Sequence, residues 1–336
     1  MKAVLEQIFA GGTLDAAQAE EVLGRILAGE VAPEVTGALL GALRLRGEDA
    51  VEIAGFARAL RRHMLRVETP YELTLDTCGT GGDGANTFNV STAVGLLLAS
   101  LGVAVVKHGN RAVSSQCGSA DVLEALGVPL QQTATGVLRA LELTNFGFCF
   151  APAFHPVLKS VGPIRKALGV RTVFNLLGPL CNPAAVSHQL LGVYDIRLTP
   201  VLAEVLRQLG VREAMVVSSH DGLDELSLAG PTRVSHLKDD RIESYDLSPE
   251  DAGLQRQPLD GLSGGSAEAN AAILTEIFSG RPGPARDIVS YNAAAALLVA
   301  GRVPDLRAGV ALAAEALDQG KVLRTLEVLR SAACQS

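Results

Sequence analysis

The chain lacks any long hydrophobic run. Nothing in its 336 residues approaches the roughly 20 apolar residues that a membrane-spanning helix needs. It also lacks an excess of positive charge. Against 29 Lys and Arg stand 36 Asp and Glu, for a net charge of −7. An isoelectric point near 5.5 argues against a general nucleic-acid binder. Cysteine is sparse: the five (78, 117, 149, 181 and 334) are odd in number, scattered and without a CxxC pair. They read as thiols in a reducing compartment. Met1–Gly11 has neither the basic start nor the apolar stretch of a signal peptide, so a cytoplasmic protein is expected. The length suffices for two domains with a large core.

What the chain does have is glycine set among small polar residues. The stretch DTCGTGGDGANTFNVST (76–92) is followed by VAVVKHGNRAVSSQCGSADVLEALG (103–127). Leu73 and Leu75 alternate with polar neighbours, as in a half-buried strand. Gly79, Gly81, Gly82 and Gly84 permit positive φ and close backbone approach. Asn89, Ser91 or Thr92 can cap a helix with the apolar body Ala93–Leu101. The second block repeats the design, with a strand at Val103–Val106, a polar loop and a helix at Ser119–Leu126. Two such units aim loops and helix N-termini at one place, where Lys107 and Arg111 add charge. That suits a ligand with two separated phosphates.

Two other glycine-loop chemistries fit poorly. Gly79, Gly81 and Gly84 match a dinucleotide fingerprint in spacing. That fold, however, opens its helix inside the motif and ends its second strand in an acid, where this chain has NTFN (86–89) and Lys107. No Gly-Lys-Ser/Thr follows the glycines, so the Walker pattern is absent too.

The first 65 residues read as helices only. Asp15 and Gln18 form a capping box, Pro33 starts the next helix, and Glu48–Leu65 makes another. Arg58, Arg61, Arg62 and Arg66 read as a solvated face at its end. Beyond them, apolar segments at Gly147–Ala151, Leu190–Tyr194 and Ala214–Ser218 alternate with helices, which implies a largely parallel sheet. Lys238–Arg241 reads as a hairpin turn, and Ala267–Phe278, Ala285–Ala300 and Leu306–Ala333 as covering helices. Asp224 and Glu225 follow the Ala214–Ser218 strand in a loop, where α/β enzymes collect ligands. By themselves they are equally a pair of solvated charges. Of the six histidines, His108 adjoins Lys107 and is a candidate for binding or for holding the loop. His155 precedes Pro156 and suits capping or packing, while His63, His188, His220 and His236 read as structural.

Four blocks in order, GTGGDGANTFNVST, KHGNRAVSSQCGSADVLEALG, RTVFNLLGPLCNP (171–183) and DGLDELS (221–227), resemble the signatures of the anthranilate phosphoribosyltransferase family. The resemblance extends over essentially the whole chain. It implies a helical domain over 1–69, rejoined by a return segment near 165–185, and an α/β domain over 70–164 and 186–336. It also implies a homodimer through the helical domain. The implied reaction joins anthranilate to 5-phosphoribosyl-1-pyrophosphate (PRPP) with Mg²⁺. Pyrimidine nucleoside phosphorylases share the fold and are one alternative; a nucleic-acid-binding paralogue is another, disfavoured by the acidic pI.

Carried onto this chain, the resemblance gives PRPP the residues Gly79, Gly82, Asp83, Thr87, Asn89, Val90, Ser91 and Thr92 from the first block. From the second it gives Lys107, His108, Gly109, Asn110, Arg111, Ala112, Val113, Ser114, Ser115 and Ser119, the last as a helix cap. Anthranilate would meet Gly79, His108, Asn110 and Arg165, with Arg165 on its carboxylate. Mg²⁺ would be held through Ser91, Asp224 and Glu225, and Lys107 would stabilise the leaving pyrophosphate. No covalent nucleophile is implied. Gln116 and Cys117 depart from the family pattern, and Ala112 would act through its backbone alone.

Overall fold

Two acidic capping residues set the first helices. Asp15 accepts from Gln18 N at 2.8 Å while Gln18 Oε1 accepts from Asp15 N at 3.0 Å, which starts α2 (Ala16–Leu27) after the short α1 (Lys2–Phe9). After α3 (Pro33–Arg46), Asp49 and Glu52 repeat the reciprocal cap and open α4 (Ala50–Arg62). That cap explains why the helix expected over Glu48–Leu65 starts later; it also ends earlier, with His63 as its C-cap. The arginines at its end are also not all a solvated face. Arg61 is half-buried, with Nε donating to Leu180 O (2.7 Å), and Arg58 donates to Gln208 O (3.2 Å). The computed structural model describes residues 1–112 and 116–332. Val113, Ser114, Ser115 and Cys334 lie outside the described residues.

The rest of the chain alternates strands and helices. β1 (Leu75–Gly79) leads to α5 (Val90–Ser100), and β2 (Val105–Gly109) to α6 (Ser119–Ala125) and α7 (Ala134–Thr144). β3 (Phe146–Phe150) is followed by α8 (Ala151–Phe154), α9 (Gly162–Leu168) and α10 (Phe174–Leu180). β4 (His188–Gly192), α11 (Leu198–Gln208) and β5 (Glu213–Ser219) precede the hairpin of β6 (Thr232–Lys238) and β7 (Arg241–Leu247). Its turn uses Asp239 and Asp240 at φ of 50° and 58°, the left-handed pair a two-residue hairpin requires. Four helices close the chain: α12 (Ala267–Phe278), α13 (Pro284–Val299), α14 (Leu306–Asp318) and α15 (Lys321–Ala332). The single helix expected over Leu306–Ala333 is thus two, broken at Gly320, whose φ is 62°.

These strands form one seven-stranded sheet in the order β3-β2-β1-β4-β5-β6-β7. The pairings from β3 to β5 are parallel, while β6 and β7 add antiparallel. β5 shows why both faces are covered. Met215 and Val217 join the core under α5 and α12 to α15, while Ala214 and Val216 join the core shared with α2 to α4, α10 and α11. α9 packs on α3 and α10 on α4, so this segment touches the first helices. From β1 the order runs one way to β2 and the other way to β4. The crevice at the carboxyl ends of β1 and β4 is therefore the topological switch point, where open α/β sheets hold ligands. Among the described residues, no helix is long and apolar enough to cross a membrane.

Candidate active site

At the switch point, the end of β1 is wedged between β4 and the loop after β5. Thr80 N donates to Gly192 O (2.9 Å), and Gly81 N donates to Asp224 Oδ2 (3.1 Å). A Cβ on Gly79 would lie 2.6 Å from Asp224 Oδ2, and one on Gly192 would overlap the Asp224 carbonyl. Both glycines admit the acidic loop. Gly82 follows at φ 81°, and Asp83 Oδ1 accepts from Ala85 N at 3.3 Å.

The chain then crosses Thr87, which bridges to Ser263, and enters α5. Asn89 is the N-cap, yet its side chain makes no cap bond. Its Nδ2 donates to Cys117 O (3.2 Å), and its Oδ1 accepts from Asn270 Nδ2 (2.9 Å). The amide expected to face phosphate is largely spent inside the protein, tying both polar blocks to α12. Val90 is buried at the first turn, and Thr92 Oγ1 is buried without a partner among the described residues. The Ser91 carbonyl accepts from Thr77 Oγ1 (2.8 Å), which leaves its hydroxyl turned to Lys107 at 3.2 Å.

Lys107, His108 and Gly109 differ most from expectation. They lie inside β2, in register with Phe148, Cys149 and Phe150 of β3, whereas the strand expected at Val103–Val106 stops short of them. Lys107 is buried, and its Nζ donates to Thr77 O and Ser91 Oγ. Near it lies Asp76, also buried, whose Oδ2 accepts from Asn182 Nδ2 at 2.8 Å. Burial pushes the Asp76 carboxyl up to about 6 against the pull of the lysine.

Asp224 and Glu225 keep some exposure as residues, but their carboxyl groups are desolvated. Burial, with Asp83 adding to it, pushes Asp224 up to about 7. Burial followed by the Asp224 charge raises Glu225 well above the ordinary range, while Lys107 opposes. Asp224 and Glu225 thus share a desolvated corner with Lys107. Such a site holds protons at neutral pH or takes a cation in their place. Among the described residues, no three His, Cys, Asp or Glu converge as a ready-made metal site. One or two carboxylates completed by substrate oxygens and water is the manner in which Mg²⁺ is commonly held, and the donor set fits it.

The second loop is organised by an acid that the sequence did not single out. Asp121 Oδ2 accepts from both Ala112 N and Gly118 N at 2.9 Å. The cap of α6 is therefore Gly118 with Asp121, and Ser119 instead donates from Oγ to Asn110 O (3.3 Å). The Ala112 N–H, offered above to phosphate, is occupied. Arg111 pairs with Asp121 and Glu124, so much of its charge is met inside the protein. Asn110 is exposed, with Oδ1 accepting from Arg111 N at 2.8 Å. Burial raises the thiols of Cys78 and Cys117, and neither is an exposed nucleophile.

His108 Nδ1 lies 3.0 Å from Gly178 O on α10. A carbonyl only accepts, so Nδ1 carries the proton and Nε2, which has no partner among the described residues, presents a lone pair. His155 stands 4.9 Å away, ring to ring, and is buried, with the Cys181 backbone beside it. Burial lowers His108 to about 3 and His155 to about 4, so both rings are neutral. His155, expected to cap or pack, packs against the His108 ring. Arg165 on α9 lies 5.4 Å over the Phe174 ring and makes no ion pair with any described carboxylate. The remaining histidines have structural partners or are exposed: His236 bridges Glu213 and Tyr245, His188 contacts Ser187, His220 meets Asp246, and His63 ends α4.

Comparison with known proteins agrees with this geometry. Residues 72–323 match the family described as "Glycosyl transferase family, a/b domain", and residues 2–64 match its "helical bundle domain". The anthranilate phosphoribosyltransferase of Symbiobacterium thermophilum is 50% identical over 330 residues, which is 98% of this chain and 97% of that one. The enzyme of the same name from Brevibacillus brevis is 50% identical over 326 residues, covering 97% and 96%. Among solved structures, anthranilate phosphoribosyltransferase from Thermus thermophilus superposes with a TM-score of 0.92 at 44% identity, over 98% of each chain. That from Saccharomyces cerevisiae, in complex with PRPP and Mg, gives 0.91 at 30% identity over 99% of this chain and 98% of that one.

Proposed function

We propose that this chain, which belongs to the anthranilate phosphoribosyltransferase family, transfers the 5-phosphoribosyl group of PRPP to the amino group of anthranilate, releasing pyrophosphate with Mg²⁺, in tryptophan biosynthesis. The observation that carries this reading is the desolvated pair of Asp224 and Glu225, with Lys107 and Ser91 nearby and Asp83 against Asp224. A site for free phosphate has no use for buried acids, whereas a metal-held pyrophosphate needs them. Bound there with the pyrophosphate, Mg²⁺ would supply Lewis-acid stabilisation of the leaving group.

In this reading the protein's own groups do the positioning. The Gly82 and Asp83 backbone, Thr87, the Thr92 hydroxyl (unpartnered among the described residues) and the start of α5 receive the phosphates, with Ser119 beside them. Lys107 meets the charge that grows as the C1–O bond lengthens, and it orients the Ser91 hydroxyl. The anthranilate amine is neutral at pH 7, so proximity suffices and no covalent nucleophile is required. The neutral His108 Nε2 and Asn110 orient that amine, with His155 beside them. We take the helical domain as residues 1–69 with the return segment near 165–185. Phe9 (65% exposed) and Leu45 (89%), on the contacting helices α1 and α3, favour burial against a second copy.

Arg165 tests the acceptor side. With no carboxylate partner of its own, it is left for the anthranilate carboxylate. Arg165→Ala should raise the anthranilate KM by about 10- to 150-fold, the worth of roughly 1.5–3 kcal/mol for a charge-assisted contact. The PRPP KM should change little, and Lys should rescue only partly. Equal damage to both constants in steady-state kinetics would remove Arg165 from acceptor binding.

A further inference from the structure

The tip of the glycine loop is gripped from the acceptor side of the site. Arg171 lies in the connection between α9 and α10, six residues beyond Arg165 and 89 beyond Gly82. Its Nη2 donates to Gly82 O, and its Cζ lies 4.2 Å from the centroid of the Tyr194 ring. It makes no ion pair with any described carboxylate. The fit is close: a Cβ on Gly82 would run into the Arg171 guanidinium. The loop's entry is pinned to Gly192 and Asp224, and its exit by Gly264 N donating to Asn86 O at 2.8 Å. Between these, the tip meets the rest of the chain through Asp83, which lies against Asp224, and through Arg171 on Gly82.

We propose that Arg171 is a positioning residue that holds the glycine loop in its phosphate-receiving shape and couples it to the segment bearing Arg165. This rests on the assignment of PRPP to the loop and of anthranilate to Arg165. The stack on Tyr194 fixes the plane of the guanidinium, so its donor stays on Gly82 O without an acidic partner. When the acceptor settles on Arg165, the connection to Arg171 stiffens and the loop tip is ordered with it. Linkage makes the effect mutual, so each ligand tightens the other by the same factor.

The test is calorimetric titration of PRPP with Mg²⁺ into wild type, Arg171→Ala and Arg171→Lys. Titrations of pyrophosphate with Mg²⁺ are then run with and without anthranilate, a pair that cannot react. Arg171→Ala should bind PRPP about tenfold more weakly, the worth of one partly exposed charge-assisted hydrogen bond. It should also lose the tightening of pyrophosphate by anthranilate that wild type shows. Arg171→Lys, which keeps a cation within reach of Gly82 O, should recover part of the affinity. Wild-type affinity in Arg171→Ala, or no effect of anthranilate on pyrophosphate in wild type, would overturn the proposal. A fall in thermal stability with PRPP affinity unchanged would also overturn it. Failure of wild type to bind PRPP at all would instead overturn the proposed function.

Discussion

Replacing Asp224 by Asn and Glu225 by Gln together should give a folded, more heat-resistant protein that turns over roughly a thousandfold more slowly, or worse. Each amide keeps an oxygen that can ligate, but the negative charge that holds a cation is gone. With it goes stabilisation of the leaving pyrophosphate, the largest expected contribution to rate. The gain in stability follows from the pKa shift. The folded Asp224 carboxyl sits near 7 against an ordinary value of 3.8, chiefly through burial. Between those values the folded state holds a proton that the unfolded chain has released, so unfolding free energy falls as pH rises. Above pH 7 the metal-free protein carries that cost in full. The neutral pair should remove it. Thermal melts without metal at pH 8 should place the double variant several degrees above wild type, and the gap should narrow as pH falls toward 4. Undiminished Mg²⁺-dependent turnover, or a lower melting temperature at pH 8, would mean that the pair is neither desolvated nor a cation site.

Lys107→Met should cost both rate and stability, in a pH-dependent way. The ammonium bridges Thr77 O and Ser91 Oγ and lowers the carboxyls of Asp76 and Glu225 against the pull of burial. Methionine fills the same volume without the charge. Turnover should fall by about 100- to 1,000-fold, as when one preorganised electrostatic group is removed from a transition state. Stability at pH 8 should fall by roughly 3 kcal/mol, because a buried carboxylate is left uncompensated. The sign of the pH dependence is set by Asp76, already raised to about 6 and pushed higher once the lysine is gone. Below that value the acid is protonated in the folded state and asks for no partner, so the loss at pH 5 should be much smaller than at pH 8. Denaturant titrations at the two pH values decide it. An equal loss at both would assign Lys107 a packing role only.

What could be read from the sequence was what is local. The glycine loop, α5 and the acid pair after β5 each declare themselves within a few consecutive residues, because turn chemistry, caps and strand-end loops act over short range. The end of β2 did not. Lys107 and His108 look like loop residues because they are polar, and they are tolerated in a buried strand only because distant groups satisfy them. Those groups are Asp76, Thr77, Ser91 and Gly178, brought close by the sheet and by α10. The same reason hid His155 beside His108, the grip of Asn270 on Asn89 and the hold of Arg61 on Leu180. Arg111 misled in the other direction. Its charge is plain in the sequence, but its partners Asp121 and Glu124 become neighbours only once α6 is folded against the loop.

Mixing purified protein with PRPP, Mg²⁺ and anthranilate and following the loss of anthranilate tests the assigned reaction. Consumption should stop when metal is chelated, release one pyrophosphate for each anthranilate used, and far exceed phosphorolysis of thymidine or uridine by the same preparation. Phosphorolysis of a pyrimidine nucleoside outpacing the use of anthranilate would contradict it.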